Sequence, residues 1–565
     1  MSTRQRITAL ALAGSLAAAP VVRATETARG TVFEDLNGDG RRRGSEPGLA
    51  GVRVSNGRDV VVTDALGHWQ LPVVAGDTLF VVKPPGFEPP VSADNLPRFF
   101  FNYVPEPLSG TAELRYPGRE VTGPLPESID FPLLRVDEPD SFRAILWADP
   151  QPQTEAEVDF VRDDVATSLV GVDARFGITL GDIMYDDLSL LPRYNAIVGR
   201  IGIPWYNVPG NHDVNYLSPN DITSLETFRR VFGPPWYSFD VGRAHIVVLD
   251  TVMYLGRDKG VEELDPLGAG AYRGAIGSEQ LAWLAADLEQ VPADRLVVIA
   301  MHIPLHSVLS ESNPRVNVVD RELLYDLLEG RPNLLGLAGH THTAEHSWIG
   351  PEHGFDGPGR FHLHTLATVS GSWWSGPLDE RGVPTTVQRD GSPNGWYELL
   401  VDGVEATVRF RPAGAPASHQ MRVLIDTGFP RHRIEIRRDF RHGELSDLRI
   451  TQTTLGAAEL VVNLFDGGPR SRVWYRIADR PWIEMASVAR HDPFVQELIQ
   501  RHANTVKPWV EPVISSHLWA ARLPTDLAPG TWSVEIRAVD EYGVEHSCAR
   551  ILEIEPDLAL VSGGR

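Results

Sequence analysis

The sequence predicts an α/β core with a β-sandwich on either side, and three observations carry that prediction. Short β-type runs separated by turns fill Gly30 to Pro132, strand and helix patterns alternate from Phe142 to Ala338, and β-texture returns from about Arg411. At 565 residues the chain exceeds what one hydrophobic core supports. Its 42% hydrophobic and 22% charged residues are those of a folded globular chain, neither disordered nor membrane-embedded. The division that follows is a leader over 1–24, an N-terminal β-sandwich over 25–135, a central α/β domain over 136–410 and a C-terminal β-sandwich over 411–565.

The leader is read from Arg4 and Arg6, the apolar and small-residue run from Ile7 to Val22, and Val22-Arg23-Ala24, which fits a small-x-small cleavage site. Cleavage after Ala24 predicts an exported, periplasmic or extracellular protein; an uncleaved anchor is the alternative. No later stretch approaches ~20 apolar residues, so no transmembrane segment is expected once the leader is removed. The net charge of -23 argues against binding a nucleic acid duplex. It leaves an anionic substrate open, because bound cations can invert the field at one site. Cys548 is the only cysteine, so no intrachain disulfide is available.

In the N-terminal region, Val52–Val54, Val60–Val62, Trp69–Leu71 and Leu79–Val82 read as strands, with turns at Asn56-Gly57 and Leu66-Gly67. In the central domain, Arg143–Ala148 reads as a buried strand. A capping box at Thr154–Glu157 opens a helix carrying Val158, Val161, Val165 and Leu169 at helical spacing. Strands follow at Phe176–Leu180, Ile203–Val208, Ala244–Leu249, Leu296–Met301 and Leu334–Ala338. Helices are predicted over Leu188–Ile201, from a Ser278 cap through Val291, and over Arg321–Leu328. The last domain contributes the alternating run Gly530–Val539, a turn at Asp540–Gly543, and one helix near Phe494–His502.

Five short motifs sit at the ends of the predicted core strands: Asp149-Pro-Gln151, Gly181-Asp182, Gly210-Asn-His-Asp213, His302 and Gly339-His-Thr-His342. The carboxyl ends of strands in an α/β sheet are where ligands bind, so side chains distant in sequence can converge there. Carboxylates, amides and imidazoles without thiolates suit Mn, Fe or Zn. Glycine before Asp182, Asn211 and His340 is expected to let the backbone turn sharply.

In this order the motifs resemble the calcineurin-like metallophosphoesterase family, whose pattern is D-x-H, G-D, G-N-H-[DE], a lone His, then G-H-x-H. The resemblance covers Ser141 to Trp396. It implies a four-layer αββα sandwich, two metal ions, and hydrolysis of phosphoesters by a hydroxide bridging the ions. By resemblance Asp149, Gln151, Asp182 and His342 hold the first metal, and Asp182, Asn211, His302 and His340 the second. His212 then faces the leaving group as general acid or phosphate stabiliser, and Asp213 orients it. Gln151 departs from the commoner histidine; its amide oxygen can ligate, but as a weaker neutral donor. Tyr185, three residues after Asp182, is similar to the tyrosine ligand of purple acid phosphatases; packing beside the site is the other reading. The expected substrate is a small-molecule or head-group phosphoester, and the motifs leave monoester and diester both open.

Around this constellation, Asp186 and Asp187 are expected to cap the next helix, and His245 to lie in the core. His306, His346, His362 and His364 flank ligand positions, and His364 ranks first among them as a substrate contact. Trp373 and Trp374, in Ser370–Gly376, suggest a substrate wall or domain packing, and Asp390–Gly395 a loop at the same mouth. Far from these, Asp35, Asn37, Asp39 and Glu46, with Gly40 at the turn, fit an oxygen-ligand calcium loop; an Asx-rich turn explains the same residues. Two rival functions remain. A surface binding protein built on a phosphoesterase core has no need of a full ligand set. A mononuclear oxygenase leaves Asn211-His212 and the Gly-His-x-His pair unused.

Overall fold

The computed structural model describes residues 25–257, 271–427 and 449–557. The leader therefore lies outside the described residues. Chain contacts divide the protein into two compact units. One gathers the chain up to Thr341 with Ser347–Val369 and Trp396–Arg409; the other gathers His342–His346, Ser370–Gly395 and Phe410 onward. This differs from the three-domain division, because the N-terminal β-module and the central domain fold as one unit. Residues 370–395, assigned from sequence to the central domain, join the C-terminal unit instead. No helix among the described residues is long and apolar enough to cross a membrane.

The N-terminal module contains two four-stranded sheets. One orders His68–Val73, Glu26–Glu34, Phe131–Arg135 and Phe87–Glu88; the other orders Val60–Val62, Arg53–Ser55, Thr78–Val81 and Phe100–Asn102. Gly57 and Gly67 take φ of 84° and 79° at the predicted turns.

The core consists of two sheets. The first orders β3-β2-β1-β10-β11, from β1 (Ser141–Trp147), β2 (Phe176–Leu180), β3 (Trp205–Val208), β10 (Gly395–Asp402) and β11 (Glu405–Pro412). The second orders β4-β5-β6-β7-β9-β8, from β4 (Tyr237–Val241), β5 (Ala244–Val248), β6 (Leu296–Ala300), β7 (Leu334–Ala338), β8 (Glu345–Ile349) and β9 (Phe361–Thr365). Strands β1, β2 and β3 run parallel, as do β5, β6, β7 and β9. Apart from Ser141, Arg143 and Leu334, their residues are buried on both faces, which is why they read as apolar runs. Aromatic side chains weld one sheet to the other: Tyr206 stacks on Phe239 at 4.1 Å and Phe176 meets Phe239 edge-on at 5.2 Å.

The helices bury the predicted stripes. Val158, Val161, Val165 and Leu169 are all buried, although only Glu155–Phe160 is α-helical and the chain then winds through a π turn and a 3₁₀ turn. Ser278 is the first residue of its helix, Ser278–Leu288, rather than its cap; that position belongs to Gly277 at φ 84°. The C-terminal unit pairs a four-stranded and a five-stranded sheet around Val462, Val473, Trp519, Val534 and Ile536. Its helix, Pro493–Arg501, is capped by the Asp492 side chain.

One buried charge network ties the N-terminal module to the core. Arg53, 8% exposed, donates to Asp287 Oδ1 at 2.7 Å and to Asp240 Oδ2 at 2.6 Å. His245 bridges the same two carboxylates, at 2.7 Å to Asp240 and 3.0 Å to Asp287. Burial pushes the Asp240 carboxyl up, but His245 and Arg53 outweigh it and hold it down at about 2. Burial disfavours the charged His245 ring, yet Asp287 and Asp240 raise it above its ordinary value. Asp240 therefore contributes stability above pH 3.8 that is lost as pH falls through about 2. His245 contributes stability below pH 6.5 that is lost as pH rises through its raised value. Removing one member of such a network strands the others, so Arg53→Leu should cost ~3 kcal/mol at pH 5–6. Denaturant melts of the two proteins check this; equal midpoints would show that the network holds nothing together.

Candidate metal centre

Each motif follows the carboxyl end of a parallel strand: Asp149 after β1, Asp182 after β2, Asn211 and His212 after β3, His302 after β6, and His340 after β7. Asp182, His302 and His340 offer ligand atoms close enough together to hold one ion. His302 Nε2 lies 3.2 Å from Asp182 Oδ2, 3.1 Å from Asn211 Oδ1 and 3.2 Å from His340 Nδ1. The other nitrogen of His302 faces the Leu180 carbonyl at 2.8 Å, and His340 Nε2 faces the Arg315 carbonyl at 2.7 Å. These carbonyls fix which nitrogen each ring turns to the centre.

Asp182 is the hub. It accepts from the Gln151 amide at 2.7 Å through Oδ2 and from the His212 backbone N–H at 2.9 Å through Oδ1. Asp149, fully buried, accepts from the His340 backbone N–H through both oxygens. Desolvation drives the Asp149 carboxyl up to about 8. The same desolvation acts on Asp182, but His302 and His212 hold it well below the usual carboxylate range.

The residues fit divalent or trivalent cations. Two buried carboxylates, Asp149 and Asp182, stand beside Gln151 Oε1, a buried acceptor with no hydrogen-bond partner. That oxygen is aligned with the ligand role the sequence gave Gln151.

The glycines act differently from expectation. Only Gly181 has a positive φ, of 84°. Gly210 and Gly339 are needed for space: a Cβ would meet Asp182 N at 2.1 Å at the first and Asp149 Oδ2 at 2.3 Å at the second. The left-handed backbone is taken up by the predicted ligand residues themselves, with φ of 45° at Asp149, 39° at Gln151, 50° at Asp182, 78° at His340 and 54° at His342. Strain of this kind gathers at sites whose surroundings over-determine them.

Two predicted roles are corrected. Asp213 does not orient His212, because its carboxylate is turned to the backbone N–H groups of Ile183, Met184 and Gly210. Asp186 takes that place, with Oδ1 2.9 Å from His212 Nδ1, while Asp187 alone caps the next turn through Ser189. Sequence reading missed Asp186 because two adjacent aspartates before a helix look alike; its φ of 64° separates it. Burial opposes charge on the His212 ring, but Asp186 and Asp182 outweigh it and raise it to about 10. Tyr185 lies flat on His212 at 4.3 Å, the packing alternative to its ligand reading.

His364 is fully buried in β9, stacked parallel to His362 and edge-on to Tyr397. His362 in turn stacks on Trp348 at 4.0 Å. His245 is the core residue expected. In the second unit, His342 presents Nδ1 to the Gly371 carbonyl at 2.5 Å and is stacked by Trp373 at 3.9 Å. Trp374 is 3% exposed and belongs to packing rather than to a substrate wall. Asp390 is also buried, accepting from Ala344 N, Ser392 N and His517 Nε2, which makes it a structural hub and not part of a mouth.

A two-sheet α/β core with nitrogen and oxygen ligands converging at its parallel strand ends defines a metal-centred protein of the phosphoesterase class. Residues 175–344 match the family described as Calcineurin-like phosphoesterase. Residues 36–112 and 364–546 match the descriptions of its N-terminal and C-terminal regions. The chain belongs to the calcineurin-like phosphoesterase family. Asp149 and Gln151 precede the stretch matched to the core description. Among relatives, the rat (Rattus norvegicus) protein named tartrate-resistant acid phosphatase type 5 is 31% identical over 186 residues, 31% of this chain and 50% of that one. A "probable glycerophosphodiester phosphodiesterase" of Arcobacter nitrofigilis is 24% identical over 151 residues, 26% of this chain and 49% of that one. The chain thus spans about half the length of these relatives. A solved purple acid phosphatase from yellow lupin (Lupinus luteus) seeds aligns with a TM-score of 0.34 at 12% identity, covering 69% of this chain and 67% of that one.

If Asp182 is the shared ligand, Asp182→Asn removes the charge that two cations ~3.5–4 Å apart depend on. Elemental analysis of the purified variant should show both ions lost together. Two retained equivalents would refute the assignment.

Proposed function

We propose that the protein is an exported, dinuclear-metal hydrolase of phosphoesters. The observation that carries this reading is the convergence of Asp182, Asn211 and His340 on His302 Nε2, beside the partnerless oxygen of Gln151. Asp149, Gln151 and Asp182 would hold one cation, and Asp182, Asn211, His302 and His340 the other, as Mn, Fe or Zn. When bound, the pair supplies a water-derived nucleophile at neutral pH and neutralises charge on the phosphoryl oxygens.

The chain's own residues do the rest. The backbone N–H of His212 is pinned to Asp182, which fixes the ring's base beside the hub. Asp186 occupies Nδ1, so Nε2 carries the transferable proton. Tyr185 covers one face of the ring and keeps it in that plane. Held in its charged form by the Asp186 and Asp182 carboxylates, the His212 ring would give its Nε2 proton to the departing oxygen. The substrate is a small-molecule or head-group phosphoester, monoester or diester.

Two further readings belong to this proposal. Export rests on the leader, so mass spectrometry of the secreted protein should find a chain starting at Thr25. The Asp35–Glu46 loop is read as a self-satisfied Asx turn in preference to a calcium site. Asp35 accepts from Gly38 and Gly40, Asn37 from Asp39, and Glu46 from Leu36 and Arg43, while Arg43 Nε donates to Asp39. Millimolar calcium should leave the melting curve unmoved; a rise of several degrees would restore the calcium reading.

The leaving group tests the proton donor. An alkoxide needs protonation, whereas nitrophenolate departs readily as an anion. His212→Asn should slow alkyl phosphoesters by ~10²–10⁴-fold and nitrophenyl esters far less, with metal content unchanged. Asp186→Asn should follow the same leaving-group pattern, and Asp213→Asn should not. Equal losses on both substrate types would make His212 a binder of phosphate oxygens instead.

A further inference from the structure

We propose that a cavity where the N-terminal module meets the core binds a small amino-acid-like zwitterion, with Arg229 taking its carboxylate and Asp221 and Asp250 its ammonium. The cavity measures about 350 Å³, within the range of ordinary small-molecule sites (roughly 300–1,000 Å³). All of its walls belong to the first compact unit. Three arginines line it, and two are already paired. Asp77 grips Arg58 through both terminal nitrogens, at 2.8 and 2.7 Å. Arg119 donates to Glu226 at 2.6 and 3.1 Å, and also to Gly76 O and Thr78 Oγ1. Arg229 is the third. Its side chain makes no hydrogen bond or ion pair among the described residues, and its Nε is buried without a partner.

Arg229 leaves the helix Glu226–Phe232, and its guanidinium carbon lies 5.6 Å from the ring centre of Trp236. That indole is fixed in turn, donating from Nε1 to Gly57 O at 3.0 Å. Burial, and then Arg119, pull the guanidinium down to about 10, which leaves it charged at neutral pH. A buried charge without a counter-ion is unfavourable, and a bound anion removes that penalty. The opposite charge waits in the same cavity. Asp250, 8% exposed, follows β5 and accepts from Val252 N at 2.9 Å. Asp221 lines the cavity from its exposed side and accepts from Tyr254 N at 2.8 Å. Neither carboxylate forms an ion pair among the described residues. Burial, and then Asp221, push the Asp250 carboxyl up to about 8 against the pull of Arg229. Arg229 and the two aspartates therefore line one cavity without touching, and a ligand carrying both charges satisfies both sides. One free guanidinium matches one negative charge in a planar fork, so a carboxylate fits; a phosphate dianion would leave charge unmet beside two aspartates.

Isothermal titration calorimetry of the whole protein with the ω-amino acids from glycine to ε-aminocaproate tests this, since these differ only in the span between their charges. At least one member should bind saturably, at one equivalent per chain. It should bind ~10-fold or more tightly than butyrate or butylammonium, which carry one charge each. Arg229→Met keeps the apolar stem and removes the charge, so it should weaken that binding ~30-fold or more. Without ligand, the same variant should melt no lower than wild type, because the charge it removes is one the fold leaves unpaired. Asp221 is exposed, so Asp221→Asn leaves the fold intact and should weaken binding by a few-fold. No saturable binding by any member, tightest binding by butyrate or butylammonium, or unchanged affinity in Arg229→Met would each overturn the proposal. A lower melting temperature for Arg229→Met would make Arg229 a structural residue, and would overturn it as well.

Discussion

The centre depends on one buried carboxylate. Asp182 is 2% exposed, yet its two oxygens are shared among the Gln151 amide, the His302 ring and the His212 backbone. Taking such a charge out of water is expensive, and only a dense set of donors and cations compensates for it. That requirement reaches outward. Gly210 has no side chain because Asp182 occupies the space, Gly181 bends because the strand must deliver Asp182 there, and His302 packs against bare Gly181. The two parallel strand sets then act as rigid carriers that bring their turns to one edge.

The N-terminal module joins the core through a second buried charge, and the two cases differ in kind. Arg53 and Lys83 each reach across to Asp240, Arg53 to its carboxylate and Lys83 to its carbonyl oxygen. Lys83 also holds Glu138 at 2.7 Å, and Arg119 holds Glu226 at 2.6 Å. Every charge in these contacts meets an opposite one within the protein. At the candidate metal centre the carboxylates instead meet histidines, an amide and backbone N–H groups.

Much of this was legible in the sequence, for physical reasons. Strands buried on both faces read as apolar runs, so β2, β6 and β7 emerged with correct limits or nearly so. Ligands follow strand ends in order, so the motifs stood out. Contacts made across long separations did not. Arg53 meets Asp287 over 234 residues, and nothing local marks it. The partner of His212 was misassigned to its neighbour Asp213, because adjacency in sequence does not say which way a carboxylate turns. His364 and Trp374 are both buried, which their place in the sequence did not show. Sequence patterns also gave residues 370–395 to the central domain, whereas their backbone bonds, such as Gly376 N to Thr505 O, tie them to the C-terminal unit.

The central claim is that two cations gathered around Asp182 make this chain a phosphoesterase. Stepwise reconstitution of the chelator-stripped protein with Mn²⁺, assayed against a panel of phosphomonoesters and phosphodiesters, tests it most directly. The account predicts no hydrolysis without metal and turnover that rises as the second equivalent binds. Hydrolysis that survives complete removal of metal, or two bound equivalents with no turnover of any ester in the panel, would contradict it.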